Sequence, residues 1–235
     1  MGRHFEVRAA AMAATAKAKS AIYMRASKEI YAAAKSGEPD PNSNLVLRSA
    51  IEKYRKQCPK DVIDRAIEKA KGGDAVAYIP GRYEFMGPGG SNIVVDTLTD
   101  NVNRALVSVR TIVTRKGGKM ASVAYNFNLS GVLDFKGPKE EEVEEALVLG
   151  DVDVSSVTID DDGEIEAVVA PNDLEKAKDV LKELGVTDFD RAETTLLPNE
   201  WIEVGEEDKA KLNAMMNELD EAEDVQAVYT NVSNL

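Results

Sequence analysis

The side chains of this sequence that could do chemistry are mainly cations on a helix in the middle of the chain. In residues 82–127 a glycine-rich turn and an apolar strand lead into a helix whose buried face is marked by apolar residues at helical spacing. The other face carries a polar stripe with a cation at each end, at spacings of four, three and four residues: Arg104, Ser108, Thr111 and Arg115. Such a stripe is a surface that an anionic partner can bind.

A second group of cations lies in the first 75 residues, which hold 15 basic and 9 acidic residues. The cluster surrounds the turn between two predicted helices and consists of Lys53, Arg55, Lys56 and Lys60. Clustered cations on a small helical module are what the neutralisation of phosphate groups requires. The alternative interpretation is that these cations belong to ordinary solvated helix faces.

The candidate nucleic-acid-binding residues are therefore the cations of an alanine-rich N-terminal arm, of the helical segment and of the central stretch. They are Arg3, Arg8, Lys17, Lys19, Lys53, Arg55, Lys56, Lys60, Arg82, Arg104, Arg115, Lys116 and Lys119.

Catalytic and metal-binding residues are sparse. His4 is the only histidine and Cys58 the only cysteine, so neither a CxxC motif nor a His/Cys ligand cluster can form. The segment Asp151–Ser155 begins like a calcium loop but lacks the glycine and the closing glutamate. The turn Gly87–Gly90 lacks the spacing of a phosphate-binding loop, and hairpin geometry explains it. We therefore predict a protein that is not an enzyme and binds no metal and no cofactor.

The charge of the chain is divided between its two parts. Residues 1–130 carry 21 basic and 12 acidic residues, a balance of +9, whereas residues 131–235 carry 8 and 30, a balance of −22. We expect the basic part to meet a polyanion, and the acidic part to be repelled by it and so to orient the encounter. An acidic surface that only keeps the protein soluble is the alternative.

The single cysteine is typical of a reducing compartment, because it allows no internal disulfide. The sequence also lacks an apolar run of the roughly 20 residues that a membrane-spanning helix needs. We predict a cytoplasmic protein, a monomer without a membrane partner.

Apolar spacing and turn residues predict three domains of the α+β class. Residues 1–75 form a basic arm followed by a three-helix bundle, and residues 131–200, with 6 basic and 21 acidic residues, have the βαββαβ order of a ferredoxin-like domain. Residues 76–130 and 201–235 together form a discontinuous α/β domain into which the acidic domain is inserted. Within it, Val123 and Tyr125 are predicted to alternate in a strand, and Trp201–Val204 to form another.

Several short motifs resemble the YebC family, which includes the mitochondrial translational activator of cytochrome c oxidase. They are Gly37–Pro41 with Asn44, Leu47 and Arg48; Cys58–Asp61 with Ile63–Ile67; Arg82–Glu84 with Gly87–Gly90; Leu98–Asn101 with Asn103 and Arg104; and Asp224–Gln226 with Val228, Tyr229, Asn231 and Val232. The resemblance covers nearly the whole chain. It is nearest to the YeeN-like branch, whose members end in a similar VYxNV segment.

The resemblance implies the same three-domain fold and a role in gene expression. Members of the family are described as probable transcriptional regulators that bind DNA, and others act in translation on the ribosome or messenger RNA. Together with the divided charge, this favours a ribosome- or RNA-associated translation factor that relieves stalling. A DNA-binding transcriptional regulator is the first alternative, and a protein-interaction adaptor that uses the acidic domain is the second.

Overall fold

Seven α-helices and eight strands occur in the part of the chain that the structure, a computed structural model, describes, residues 16–72 and 76–235. The helices are α1 (Ala16–Lys35), α2 (Leu45–Tyr54), α3 (Lys60–Lys71), α4 (Val102–Arg115), α5 (Glu140–Leu149), α6 (Leu174–Glu183) and α7 (Glu206–Asp220). The strands are β1 (Ile79–Met86), β2 (Asn92–Thr99), β3 (Lys119–Met120), β4 (Phe127–Lys136), β5 (Val154–Ile159), β6 (Glu164–Val169), β7 (Arg191–Pro198) and β8 (Val225–Thr230). None of the helices in these ranges is long and apolar enough to cross a membrane.

Helices α1, α2 and α3 pack around one apolar core, as their spacing predicts. Each helix turns small or branched apolar residues inward, and Tyr31 and Tyr54 fill the space between them. The core consists of Ala26, Ile30, Tyr31, Ala33, Ala34, Leu47, Ala50, Tyr54, Cys58, Ile63, Ala66 and Ala70. Because alanine side chains are small, the axes of the three helices can approach closely. The short helices α2 and α3, of 10 and 12 residues, can therefore share one core with α1.

Asn44 closes the connection between α1 and α2. Its side-chain oxygen accepts a hydrogen bond from the backbone N–H of Leu47 at 3.0 Å, which caps the first turn of α2. Its amide nitrogen donates to the carbonyl oxygens of Ala33 at 3.0 Å and of Glu38 at 2.9 Å. One buried side chain therefore hydrogen-bonds to three backbone groups, one of which is an N–H that the first turn of α2 would otherwise leave unpaired.

The central sheet has the strand order β3-β1-β2-β8, with all pairs antiparallel. Helices α4 and α7 cover one face of the sheet and share an apolar core with it. The core consists of Phe85, Ile93, Val95, Val109, Ile112, Val113, Val204, Leu212, Met215, Leu219, Val225, Val228 and Val232. Strand β8 and helix α7 come from the C-terminal part of the chain, so this core requires segments on both sides of residues 127–197.

The predicted strand at Val123 and Tyr125 is wrong. Strand β3 contains only two residues, and Ala124–Asn126 is a turn of 3-10 helix. The carboxylate of Glu84 accepts hydrogen bonds from the backbone N–H groups of Val123 and Ala124, both at 2.7 Å. These N–H groups are therefore satisfied by a side chain and do not pair with a neighbouring strand.

The predicted strand Trp201–Val204 is also wrong, because this segment forms only one isolated parallel bridge, between Ile202 and Val232. The side chain of Asn234 accepts from the N–H of Val204 at 3.1 Å and donates to its carbonyl oxygen at 2.9 Å. An asparagine side chain thus replaces the ladder that a strand would need.

Residues 127–197 form the βαββαβ arrangement that the sequence predicts. The strand order β5-β6-β4-β7 is that of a ferredoxin-like sheet, and α5 and α6 pack on one face of it. The core includes Leu133, Phe135, Val143, Leu147, Ile165, Ala167, Ala177 and Leu181. The predicted fold class, α+β with a helical bundle and two α/β domains, one inserted in the other, is confirmed.

The chain divides into two compact units. One is Phe127–Leu197. The other contains, among the described residues, everything up to Asn126 together with Pro198–Leu235, so the bundle and the central sheet belong to the same unit.

Asp134 in β4 is a buried carboxylate, 3% exposed. Neither of its carboxylate oxygens has a hydrogen-bond partner within the described residues, and the nearest cation, Arg191, lies 3.9 Å away. Burial, and to a smaller extent the neighbouring Glu166 and Glu164, raise the pKa of Asp134 to about 7, although Arg191 acts in the opposite direction. The protonated form is therefore the one that this site favours.

The Asn44→Ala substitution should destabilise the bundle by about 1–2 kcal/mol, because it removes a helix cap and two hydrogen bonds to carbonyl groups of the α1–α2 connection. Urea unfolding followed by circular dichroism measures the change. Ser43→Ala, at an exposed neighbouring position, is the matched control. Equal midpoints for the two variants would contradict the role given to Asn44.

Substitution of Asp134 should change how stability depends on pH. The folded-state pKa of about 7 lies above the ordinary carboxyl value of 3.8, so the folded state binds the proton more tightly and stability is lost as pH rises through this window. The free energy of unfolding of Asp134→Asn, taken relative to that of the wild type, should therefore rise by about 2–3 kcal/mol as the pH increases from 5 to 8.

The measurement is the free energy of unfolding of both proteins at four or five pH values. Asp161→Asn, an exposed position in the same unit, is the control and should follow the wild-type curve. A wild-type-minus-variant difference that does not vary with pH would contradict the assignment.

Candidate nucleic-acid interface

Helix α4 carries the predicted cationic stripe, and its orientation is fixed by its first turn and by its buried face. Asn101 caps the helix by accepting from the backbone N–H of Arg104 at 3.0 Å. The residues that face the core are Ala105, Val109, Ile112 and Val113. The stripe Arg104, Ser108, Thr111 and Arg115 consequently lies away from the sheet, as predicted, but its two cations face acidic residues.

Arg104 forms a fork-like pair with Asp224, which precedes β8. Its Nε donates to Oδ2 of Asp224 at 3.0 Å, and its Nη2 donates to Oδ1 at 2.8 Å. The same Nη2 donates to Asp100 at 2.8 Å. These hydrogen bonds raise the pKa of Arg104.

Asp224 is buried, and a second cation, Lys28 of α1, donates to its Oδ1 at 3.0 Å. Burial raises the pKa of this carboxyl, but the hydrogen bonds from Arg104 and Lys28 outweigh that effect and leave the pKa below its ordinary value. The carboxylate is therefore charged and compensated from two sides.

Arg115 and Arg82 are also paired within the central domain. Arg115 forms an ion pair with Glu218 of α7. Arg82 lies on the sheet face away from the helices, and both its Nε and its Nη2 donate to the carboxylate of Asp96, at 2.7 and 2.8 Å. A nucleic acid would have to compete with these carboxylates, so the structure gives three of the predicted cations a role in the fold.

The cations of the bundle are arranged differently. Lys53 is half-buried and forms an ion pair with Glu29 at 3.1 Å. Arg55, Lys56 and Lys60 are exposed on the short turn that joins α2 to α3. The turn is held by the N–H of Cys58, which donates to the carbonyl oxygen of Tyr54 at 2.8 Å. Three cations are thus presented within six residues of a fixed turn, which we call the bundle turn (Arg55–Lys60).

A second basic turn lies after α4, at Lys116–Lys119, and we call it the central turn. The ammonium groups of Lys116 and Lys119 have no acidic partner among the described residues. The N–H of Gly118 donates to the carbonyl oxygen of Val113 at 2.9 Å, and a Cβ on this glycine would come within 3.3 Å of the carbonyl oxygen of Met86. Glycine therefore allows the turn to pack against the end of β1.

Some of the N-terminal candidates lie outside the residues that the structure describes. Arg3 and Arg8 fall outside the described residues, and so does the side chain of Lys17. Lys19 is exposed on α1. Among the candidates whose side chains the structure describes, Arg55, Lys56, Lys60, Lys116 and Lys119 thus lie on two turns, Lys53, Arg82, Arg104 and Arg115 form the ion pairs given above, and Lys19 lies apart on α1. Whether any of them binds nucleic acid stays a prediction.

Sequence reasoning missed three residues of this region. Arg110 is an exposed cation of α4 that has no acidic partner within the described ranges, and Arg25 and Lys28 of α1 hold the α7–β8 connection. The outward position of Arg110 could have been found from helical spacing. Arg25 and Lys28 gave no such signal, because their partners lie about 195 residues away in the sequence.

Among the described residues, no group of three or more His, Cys, Asp or Glu residues is arranged to hold a metal ion. Burial raises the pKa of the Cys58 thiol to about 11, which keeps it protonated at neutral pH.

Two protein-family models match the chain. One describes the TACO1/YebC protein N-terminal domain and matches residues 3–73, and the other describes the TACO1/YebC second and third domain and matches residues 78–232.

Among the relatives, a probable transcriptional regulatory protein of Mesoplasma florum is 48% identical over 238 residues, which is 99% of this chain and 100% of that protein. The probable transcriptional regulatory protein YeeN of Escherichia coli K12 is 43% identical over 239 residues, with 100% of both chains covered. A crystal structure of a conserved hypothetical protein from Aquifex aeolicus has a TM-score of 0.77 and 29% identity, and the match covers 91% of this chain and 89% of that one.

Arg104→Ala should lower the urea midpoint of unfolding, because it leaves a buried carboxylate with one cation in place of two. Arg110→Ala, on the same helix but without an acidic partner within the described residues, is the matched control and should change the midpoint little.

A double-mutant cycle with Asp224→Asn isolates the pair. The double variant should lose clearly less free energy of unfolding than the sum of the losses in the two single variants. Additive effects would contradict a direct interaction.

Proposed function

The chain belongs to the TACO1/YebC family, and from that premise we propose that it is a non-enzymatic, nucleic-acid-binding regulator of gene expression. More narrowly, we propose a cytoplasmic translation factor that associates with ribosomal or messenger RNA. Its cations bind the phosphate backbone, and the ribosome is the partner that presents this RNA in a fixed shape.

The observation that carries the proposal is the bundle turn. Residues 16–72 carry 13 basic and 7 acidic residues, and three of these cations project from six consecutive residues. The turn is short and hydrogen-bonded, so its backbone loses little freedom when the cations that it carries bind phosphate. The central turn adds two further cations on the same compact unit.

The two turns carry few cations. This small number favours binding to a structured RNA and not a general electrostatic attraction to any duplex. Each neutralised phosphate contributes a slope of about 0.7 for single strands and about 0.9 for duplexes in a plot of log affinity against log salt. Four or five contacts give only weak binding at physiological salt. A ribosome can add contacts from shaped RNA and from protein, which compensates for the small number of charges.

A DNA-binding transcriptional regulator is the second candidate, because the relatives carry that name. The exposed surface of α3 argues against a recognition helix. It carries Asp61, Asp64 and Glu68, which would be repelled by phosphates, and Arg65 is paired with Asp61. The helix also lacks asparagine and glutamine, the residues that commonly read adenine.

The decisive experiment is a comparison of ribosome cosedimentation with binding to a promoter DNA library. The proposal predicts that the wild-type protein sediments with ribosomes at low salt and shows no preference for any promoter fragment over scrambled DNA. Sharp retention of one promoter fragment would favour the transcriptional candidate. Absence from every ribosomal fraction, stalled complexes included, would overturn the translational one.

Lys56→Gln combined with Lys60→Gln should weaken RNA binding at least about tenfold at 0.1 M salt and reduce the salt slope by about 1.4–1.8, as expected for two lost phosphate contacts. Lys209→Gln with Lys211→Gln, an equal charge change on α7, is the control and should preserve binding. An unchanged slope would remove the bundle turn from the interface.

A further inference from the structure

Two cations of α1 attach the helical bundle to the central domain. The Nε of Arg25 donates to the carbonyl oxygen of Val225 at 3.0 Å, and its Nη2 donates to the carbonyl and carboxylate oxygens of Asp220. The Nζ of Lys28 donates to the carbonyl oxygen of Glu223 at 2.9 Å and to Oδ1 of Asp224 at 3.0 Å. Both cations therefore bind the connection between α7 and β8.

Asp224 links this attachment to α4, because its other oxygen accepts from Arg104. One buried carboxylate thus joins the bundle, the helix α4 and the start of β8. We call this set the junction cluster. It consists of Arg25, Lys28, Arg104, Asp220 and Asp224.

The chain that leads from the bundle into β1 is held at the same place. The hydroxyl of Tyr31 accepts from the backbone N–H of Val76 at 3.1 Å. The ring of Tyr78 stands edge-on to that of Tyr31, with centroids 5.6 Å apart, and the ammonium of Lys28 lies 5.7 Å from the centre of the Tyr78 ring. The bundle is therefore connected to the central domain through the linker and through the junction cluster.

The two cations of α1 are not available to a phosphate. The side chains of Arg25 and Lys28 are 13% and 10% exposed, and all the contacts described for them are made within the protein. A surface role would require them to leave carbonyl and carboxylate oxygens that are themselves buried or half-buried.

We infer that Arg25 and Lys28 are positioning residues, which fix the bundle on the central domain so that nucleic acid meets the bundle turn and the central turn as parts of one rigid body. The inference takes its ligand, a nucleic acid, from the proposed function. The attachment of the bundle to the central domain does not depend on that function. Two binding patches on a rigid body cost one loss of rotational and translational freedom. Patches joined only by a linker must lose their relative motion as well, and affinity falls.

The test uses the full chain with Arg25→Ala and Lys28→Ala. Spin labels at Ser49→Cys in α2 and Thr111→Cys in α4, in a Cys58→Ala background, report the distance between bundle and central domain by pulsed electron paramagnetic resonance. The labelled chain with Arg25 and Lys28 in place should give one narrow distribution of label-to-label distances. The labelled chain with Arg25→Ala and Lys28→Ala should give a broad distribution.

Binding to a ribosomal RNA hairpin gives the second readout, on chains without labels. The variant should lose about tenfold in affinity while the salt slope stays that of the wild type, because neither side chain contacts phosphate. This separates positioning from the loss of phosphate contacts in the Lys56 and Lys60 variant. Lys209→Ala with Lys211→Ala has the same charge change outside the junction cluster and should leave both the distances and the affinity unchanged.

The outcomes of these measurements separate the positioning inference from the proposed function. A distribution that stays narrow in the variant overturns the inference, and so does a broad distribution with unchanged affinity. Lys28→Ala alone, if the double variant fails to fold, should give an intermediate width. Failure of the wild type to bind any RNA would overturn the proposed function, and the distance distribution would then still decide whether the junction cluster fixes the bundle.

Discussion

A buried carboxylate, that of Asp224, is the constraint on which the larger of the two compact units depends. An isolated charge in this position would be strongly destabilising, so the fold must bring cations to it. Arg104 supplies two hydrogen bonds from α4, and Lys28 supplies one from α1. The bundle and the central sheet are thereby connected through a residue that lies near the C-terminal end of the chain.

This constraint changes how the charge of the protein is interpreted. The balance of +9 in residues 1–130 suggests a broad basic surface, but several of its cations serve the fold. Arg82 and Arg115 pair with carboxylates of the central domain, and Lys53 pairs within the bundle. Cations on exposed turns are the ones that a polyanion can approach, which is why the proposed interface is built on two turns and not on the stripe of α4.

The sequence predicted well wherever local interactions decide the structure. The apolar strand predicted before the central helix is β2, and the three-helix bundle predicted from apolar spacing is formed by α1, α2 and α3, because apolar spacing follows the helical repeat. It failed where a distant side chain replaces backbone pairing. Glu84 takes the N–H groups of Val123 and Ala124, so an alternating pattern there does not become a strand.

The sequence by itself determined the fold class, the family and the uneven distribution of charge, because apolar periodicity, short motifs and composition are all local properties of the chain. Only the tertiary structure decided which cations pair with carboxylates that are distant in the sequence. An ion pair such as Lys28 with Asp224 joins residues 196 positions apart, and its existence depends on the burial that the folded chain imposes. Helical spacing gives the direction of a side chain from its own helix, but the partner it meets is set by the packing of other elements.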